Sequence, residues 1–157
     1  MVGASFLLFI LVFLGSCSSP GHFEPVLSED ADAASLYIYR PKSDNPGVQP
    51  LRRSYPDMIL DGRSIGVLKF KKYRTVSIEP GKHTLTATGL TKNSNWKPVD
   101  KKLVFQIQPG ETKYIKLDVR YNMREMKVIQ SGAEYLIYLT PMNAESAIYE
   151  IRQTSPE

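Results

Sequence analysis

Alternating apolar and polar positions run through the chain from residue 35 onward. In residues 35–40, Leu36 and Ile38 alternate with two tyrosines, and the run stops at Pro41. A period of two places successive side chains on opposite faces, which is typical of a β-strand. Comparable runs predict further strands at residues 58–61, 65–70, 75–79, 84–88, 103–108, 112–120 and 134–140.

Turn signals separate these runs. Asp61 and Gly62 form a pair that readily takes positive φ angles, so they predict a tight hairpin between the strands on either side. Two Pro-Gly pairs, at residues 80–81 and 109–110, place proline at the first turn position and glycine at the second. The chain is therefore predicted to reverse direction at each of these three points.

One segment has helical spacing instead. Apolar residues recur on one face of residues 143–153, with Asn143 as a potential N-cap. Seven or eight strands and a short C-terminal helix, at about residues 143–153, predict an all-β fold: an antiparallel β-sandwich. The polar stretches 42–55 and 91–100 are predicted to be extended loops, where binding residues concentrate.

Composition supports a single folded domain. The chain has 157 residues, of which 42% are hydrophobic and 23% charged, with a formal net charge of +4. This balance is that of a globular protein and not of a disordered one. One cysteine and two histidines exclude an intramolecular disulfide scaffold and a Cys/His zinc module.

The N-terminal residues have the composition of a targeting segment. Residues 1–16 carry no charged side chain, and residues 6–14 form an unbroken apolar run. That run is shorter than the roughly 20 residues that a membrane-spanning helix needs, but it fits the apolar core of a secretory signal. Residues 17–34 contain prolines, an acidic stretch and few apolar residues, so they are predicted to form a flexible tether before a domain at residues 35–157.

The sequence Leu-Gly-Ser-Cys at residues 14–17 resembles the lipobox of bacterial lipoproteins. The resemblance implies that Cys17 carries fatty-acyl chains such as palmitate and becomes the first residue of the mature chain. Ser18, in place of the aspartate that favours inner-membrane retention, implies the periplasmic face of the outer membrane. The segment departs from such signals in lacking an early Lys or Arg, and the alternative is an ordinary signal peptide that ends near a stray cysteine.

A wider resemblance rests on three stretches, at residues 36–41, 60–66 and 79–83, which read LYIYRP, LDGRSIG and EPGKH. Together they resemble an uncharacterised bacterial lipoprotein family built on a domain of unknown function, over residues 34–137. The third stretch is also similar to the PEGA repeat, a β-sandwich module of bacterial envelope proteins, although Glu-Pro-Gly-Lys stands where that repeat has Pro-Glu-Gly-Ala. Neither resemblance implies a reaction.

Residues that could support catalysis are few. Ser64 lies in a Gly-Arg-Ser-Ile-Gly run that matches the nucleophile elbow of α/β-hydrolases, and His83 follows it. An elbow needs a helix after the serine, whereas the residues here alternate as a strand, so a hairpin serine and a structural histidine are favoured. The carboxylates of Asp57, Asp61 and Asp118 show no metal-ligand spacing. No nucleotide or zinc motif is present, and neither a cofactor nor a catalytic role is predicted.

The most distinct charge feature is a basic group of six residues: Arg52, Arg53, Lys69, Lys71, Lys72 and Arg74. Such residues suit anions, among them phosphate headgroups, lipopolysaccharide or another acidic envelope glycan. The alternative, which the sequence favours, is a solvated hairpin whose lysines keep a sheet edge from pairing with other chains. Trp96 is interpreted either as an anchor for a partner or as a cap on the core.

The sequence thus predicts a membrane-anchored lipoprotein of the cell envelope. Its function is predicted to be non-catalytic binding or envelope assembly in the periplasm, with an envelope protein, lipopolysaccharide or acidic glycan as partner. Nucleic acid is not expected as a partner, because export separates the chain from it. Two alternatives remain: a small hydrolase that acts on envelope polymers through carboxylates, and a purely structural envelope protein.

Overall fold

The computed structural model describes residues 23–26, 32–44, 47, 49–92, 94–122 and 135–157. Within these ranges the chain forms two β-sheets and one helix. In chain order the elements are β1 (Ala34–Arg40), β2 (Asp57–Leu60), β3 (Arg63–Val67), β4 (Lys72–Ile78), β5 (Gly81–Thr91), β6 (Ser94–Ile107), β7 (Thr112–Tyr121), β8 (Tyr135–Met142), α1 (Ala144–Ile151) and β9 (Ser155–Pro156). The predicted all-β sandwich with a short C-terminal helix is confirmed.

The two sheets have five and four strands, in the orders β8-β7-β1-β4-β9 and β3-β2-β5-β6. Most neighbours are antiparallel, but β1 pairs in parallel with β7, and β4 with β9. The two Pro-Gly turns carry the chain from one sheet to the other instead of closing hairpins, and the second of them returns the chain to the sheet of β1, where β7 pairs with β1 in parallel. The turn at residues 80–81 leads from β4 to β5, and that at residues 109–110 leads from β6 to β7.

Two local predictions are confirmed at the level of backbone angles and hydrogen bonds. Asp61 and Gly62 have φ angles of 50° and 82°, as the tight β2–β3 hairpin requires. Asn143 is the N-cap of α1, and its side-chain oxygen accepts a 2.8 Å hydrogen bond from the backbone N–H of Ser146. Both features depend on side chains within a few residues, which is why the sequence alone indicates them.

The main core lies between the two sheets, and one face of strand β1 contributes to it. A second hydrophobic cluster covers the opposite face of β1. Leu36 and Ile38 belong to the core between the sheets. Tyr37 and Tyr39 point to the opposite face, where α1 and Phe23 pack over them. Every residue of β1 is therefore buried, and burial on both faces makes this strand the centre of the domain.

The prediction of an extended loop over residues 91–100 is wrong. Strands β5 and β6 form one long hairpin that continues to the pair Thr91 and Ser94, with an irregularity near Thr88. Trp96 lies on the core side of β6 and is only 2% exposed, so it does not serve as an exposed anchor for a partner. The composition of the stretch is typical of a loop, whereas backbone pairing with β5 decides its conformation.

The helix is attached to the five-stranded sheet by a charged network. The hydroxyl of Tyr39 donates a 2.8 Å hydrogen bond to Glu150, and the ammonium of Lys116 donates one of 2.6 Å to the other carboxylate oxygen. Burial, reinforced by the hydrogen bond to Glu150, raises the pKa of Tyr39 far above its usual 10.0. The hydroxyl therefore stays protonated and acts as a permanent donor to the helix.

Part of the predicted tether contacts the domain. The ring of Phe23 packs edge-on against Tyr37 and Tyr73, with centroid distances of 5.6 and 5.4 Å. The backbone N–H of Val26 donates a 2.8 Å hydrogen bond to the hydroxyl of Tyr37. Residues 1–16 and Cys17 lie outside the described residues. Within the described ranges, no helix has the length and apolar character needed to cross a membrane.

Candidate functional site

The register of β1 against β4 brings two separate basic segments together. These antiparallel strands pair Arg40 with Lys72, so the loop that leaves β1 lies beside the turn that enters β4. The loop and the turn enclose a cleft of about 410 Å³, here called the basic cleft. Its lining residues are Arg52, Arg53, Tyr55, Lys69, Phe70, Lys71 and Lys72. Five of the six basic residues singled out from the sequence thus share one surface.

Arg74, the sixth, does not line the basic cleft. Its guanidinium donates a 3.2 Å hydrogen bond to the carbonyl of Val67 and lies directly against Gly66, where an added Cβ would approach it to 3.0 Å. Its Nε is buried and has no hydrogen-bond partner among the described residues. Arg74 therefore joins β4 to β3 and plays a structural role.

Arg40, which the sequence analysis did not single out, supports both sides of the basic cleft. Its side chain is 1% exposed and donates hydrogen bonds to the carbonyls of Ser54 at 2.6 Å, Leu51 at 2.7 Å and Pro50 at 3.4 Å. Its own carbonyl accepts a 3.0 Å bond from the N–H of Lys71. Burial lowers the pKa of Arg40 to about 10. Without a carboxylate in these contacts, the guanidinium is stabilised by carbonyl dipoles.

Both segments of the basic cleft contain a residue in an unfavourable backbone conformation. Leu51 and Lys71 have φ angles of 49° and 59°, in the left-handed region. For a residue other than glycine this costs about 1–2 kcal/mol. Such strain persists only where surrounding contacts enforce it, and it clusters at functional sites. Here the contacts come from Arg40, which binds the carbonyl of Leu51 and the N–H of Lys71.

The cations of the basic cleft differ in their partners. Lys69 pairs with Glu157 at 3.2 Å, and Lys72 donates a 2.8 Å hydrogen bond to the carbonyl of Pro156. The guanidinium of Arg52 lies 6.0 Å from the centre of the Phe70 ring. Among the described residues, no carboxylate forms an ion pair with Arg52, Arg53 or Lys71. The cleft therefore presents positive charge beside aromatic surface, which suits an anion with an apolar part.

A larger concavity, of about 920 Å³, lies between residues 41–44 and α1. Its charged lining is mixed in sign, with Lys42 and Arg152 opposed by Asp44, Glu145 and Glu150. Opposite charges distributed in this way select no particular class of ligand. The smaller basic cleft is therefore the better candidate for a functional site, because its charged side chains are all of one sign.

The residues considered for catalysis form separate contacts. The hydroxyl of Ser64 donates a 2.7 Å hydrogen bond to Asp57. The two ring nitrogens of His83 contact Asp61 at 2.6 Å and the carbonyl of Glu79 at 2.8 Å. Both nitrogens of the histidine are thus engaged, and neither contacts the serine.

The third carboxylate considered, that of Asp118, is also engaged elsewhere. It lies on β7 in the five-stranded sheet and pairs with Arg120 at 2.6 Å, while β2 and the β2–β3 turn that carry Asp57 and Asp61 belong to the other sheet. In the part of the chain that the structure describes, no group of three His, Cys, Asp or Glu side chains is placed to hold a metal ion. These carboxylates do not form a common site.

The contact between His83 and Asp61 predicts a pH dependence of stability. The hydrogen bond to Asp61 raises the pKa of His83 above its usual 6.5. Burial alone would raise the pKa of Asp61, but the bonds from His83 and from the N–H of Thr84 outweigh it and lower that pKa below 3.8. The stabilisation from His83 is complete below pH 6.5 and is lost as the pH rises through its folded-state pKa.

We therefore expect the substitution His83→Gln to lower the melting temperature by a few degrees at about pH 5.5 and by less at about pH 8.5. Thermal denaturation of both proteins at the two pH values measures the difference. The same variant on an Asp61→Asn background serves as the control and should show little pH dependence. An equal loss at both pH values would contradict the ion pair.

The family comparison covers most of the domain. Residues 30–133 match a family model described as "Protein of unknown function (DUF2846)". The matched stretch includes β1 to β7, and hence every lining residue of the basic cleft. No curated protein and no solved structure matches the chain.

Proposed function

The chain belongs to the DUF2846 family of proteins of unknown function, and we propose that it acts as a non-catalytic binding module, anchored to the bacterial cell envelope by lipid, that recognises anionic groups. The observation that carries the proposal is the basic cleft. Five cationic side chains from two segments line it, beside Tyr55 and Phe70. Near an anionic surface, each Lys or Arg contributes about 1 kcal/mol to binding.

The position of residues 23–26 determines which part of the domain a lipid on Cys17 would hold near a membrane. Residues 23–26 pack against Tyr37 and Tyr73, and Tyr73 directly follows Lys72 of the basic cleft. The segment from Cys17 to Phe23 reaches at most about 20 Å when fully extended. A lipid on Cys17 would therefore keep strand β4 and its cations close to the membrane. The lipobox resemblance and Ser18 favour the periplasmic face of the outer membrane.

The geometry gives less support to the two alternatives. A hydrolase that acts through carboxylates needs a pair of acidic groups at one site, whereas Asp57, Asp61 and Asp118 each bind a different partner. A purely structural role does not account for the exposed Arg52, Arg53 and Lys71 around one cleft, held by a strained backbone. Binding of an anionic ligand accounts for both features.

The proposal is tested by vesicle binding of the full chain with Cys17→Ala, so that lipidation does not contribute. We expect the protein to partition into vesicles of anionic phospholipid about tenfold or more better than into zwitterionic vesicles at low salt. Apolar residues 1–16 contribute to binding of both kinds of vesicle, and this contribution cancels in the ratio of the two partition coefficients. Adding Arg52→Glu and Arg53→Glu should bring this ratio close to one.

The matched control is Lys101→Glu with Lys102→Glu on β6, which changes the net charge equally but lies outside the basic cleft. This variant should keep most of the preference for anionic vesicles, since a cleft acts through the arrangement of its charges. If both pairs of substitutions reduced the ratio equally, net charge alone would explain binding and the basic cleft would lose its proposed role.

A further inference from the structure

The segment that follows α1 lies against the basic cleft as a short parallel strand. We call residues 155–157 (Ser-Pro-Glu) the acidic strap. The N–H of Ser155 donates to the carbonyl of Lys71 at 3.1 Å, and the N–H of Glu157 donates to that of Tyr73 at 3.0 Å. The strap thus adds to the exposed edge of β4, in the way that peptide ligands extend a sheet.

The side chain of Glu157 places a carboxylate on Lys69, one of the cations that line the basic cleft. Its carboxylate accepts hydrogen bonds from the backbone N–H and from the ammonium of Lys69. Although the strap as a whole is exposed, this side chain is only 8% exposed. Lys72 adds a 2.8 Å bond to the carbonyl of Pro156. Two of the five cations of the basic cleft, Lys69 and Lys72, are therefore bound by the strap.

The contacts of the strap define which sequences fit the edge of β4. The residues before and after Pro156 each donate a backbone hydrogen bond, whereas the position of Pro156 needs no donor. Proline is tolerated only at such a position. The next position carries a carboxylate that reaches Lys69. The edge thus fits an extended acidic peptide. One residue of this peptide donates no backbone hydrogen bond, and the next residue carries the carboxylate.

The strap is a short segment at the edge of the five-stranded sheet. Its strand has two residues, and its two backbone N–H groups donate hydrogen bonds to the carbonyls of Lys71 and Tyr73. The ion pair with Lys69 is partly exposed, since the lysine side chain is 49% accessible. A short edge segment with a partly exposed ion pair opens at a lower cost than the core.

We propose that the acidic strap occupies the position of an extended acidic segment of a partner protein, which displaces the strap, adds to β4 in parallel and places a carboxylate on Lys69. This inference rests on the proposed function, because it takes the basic cleft as the binding site. A strap that is closed in about nine molecules of ten lowers the apparent affinity for such a peptide about tenfold. The sequence of the strap would therefore show the chemistry of the ligand, and the closed strap would reduce non-specific binding of anions to the basic cleft.

The test uses the full chain, labelled with ¹⁵N, and the pentapeptide Gln-Thr-Ser-Pro-Glu with blocked ends. Peptide binding is followed by the amide signals of Lys69 and Tyr73, so weak affinities remain measurable. We expect the peptide to bind the Glu157→Gln variant about tenfold more tightly than the wild type. The control Glu145→Gln, on α1 and away from the basic cleft, should bind like the wild type.

Two further arms identify the contact. A peptide with Gln in place of its Glu should bind Glu157→Gln far more weakly, and Lys69→Ala added to that variant should remove the preference for the acidic peptide. If Glu157→Gln strengthened binding to anionic vesicles but not to the peptide, the inference would be overturned while the proposed function stood. The inference would also be overturned if the peptide did not bind and wild-type chains instead exchanged straps with one another. Such exchange would appear as a molecular mass that rises from that of a monomer to that of a dimer as the protein concentration increases. Failure of both vesicles and peptide would overturn the proposed function as well.

Discussion

The substitution Arg40→Met is expected to lower the free energy of unfolding by about 3–5 kcal/mol. Methionine approximates the apolar stem of Arg40 but supplies no donor. The carbonyls of Pro50, Leu51 and Ser54 would lose their bonds to the guanidinium, and a buried acceptor left unsatisfied costs about 1–3 kcal/mol. Urea denaturation, followed by circular dichroism, measures the loss.

Two companion variants separate the hydrogen bonds from the loss of a charge. Arg63→Met, on the exposed start of β3, removes the same functional group and should change stability by less than about 0.5 kcal/mol. Arg40→Lys keeps the charge, but a single ammonium cannot reproduce the two-pronged geometry, so it should restore only part of the stability. A loss for Arg40→Met no larger than that for Arg63→Met would refute the role of Arg40 as the support of the basic cleft.

The elements that the sequence predicts well depend on neighbours along the chain. The Asp-Gly pair at residues 61–62 has a strong local preference for positive φ, and Asn143 caps a helix through a contact three residues away. The alternation in β7 likewise places Ile115 and Leu117 in the core. In each case the determining interaction lies within the segment or follows from a simple division between inside and outside.

The features that the sequence does not reveal depend on pairing between distant segments. The alternation in β1 predicts one buried face, but the structure also buries Tyr37 and Tyr39, because α1 and Phe23 return from distant parts of the chain. The Pro-Gly turns indicate a change of direction without indicating that the chain changes sheets. Residues 91–100 have a loop-like composition and become strand only through pairing with β5.

The basic cleft depends both on residues that stand out in the sequence and on pairing between distant segments. Its cations stand out in the sequence as two groups, at residues 52–53 and 69–72, and their meeting follows from the pairing of β1 with β4. Arg40 looks in the sequence like an ordinary residue at the end of a strand, because its carbonyl partners are backbone atoms and leave no signature in the side chains. The acidic strap is hidden for a different reason, because three residues are too few to show a periodic pattern.

The substitution Cys17→Ala is expected to have an all-or-none effect on modification. Protein recovered from membranes should begin at Cys17 and be heavier by a diacylglyceryl group in the wild type, whereas the variant should lack the added mass altogether. The physical reason is that, in the proposed lipoprotein, the cysteine sulfur would accept the lipid, and the sequence has no other cysteine. Intact-mass spectrometry of both proteins measures the difference.

The consequence for function follows from the energetics of lipid anchors. One buried acyl chain gives only marginal and reversible membrane binding, whereas two or more make anchoring stable. Ser18→Ala serves as the control and should keep the lipid, since it leaves the proposed acceptor sulfur of Cys17 unchanged. If the wild type were recovered as an unmodified chain, Cys17 would be a stray thiol, and the basic cleft alone would have to hold the domain at an anionic surface. That outcome would make membrane association strongly salt-dependent, whereas a lipidated chain stays bound when salt screens its cations.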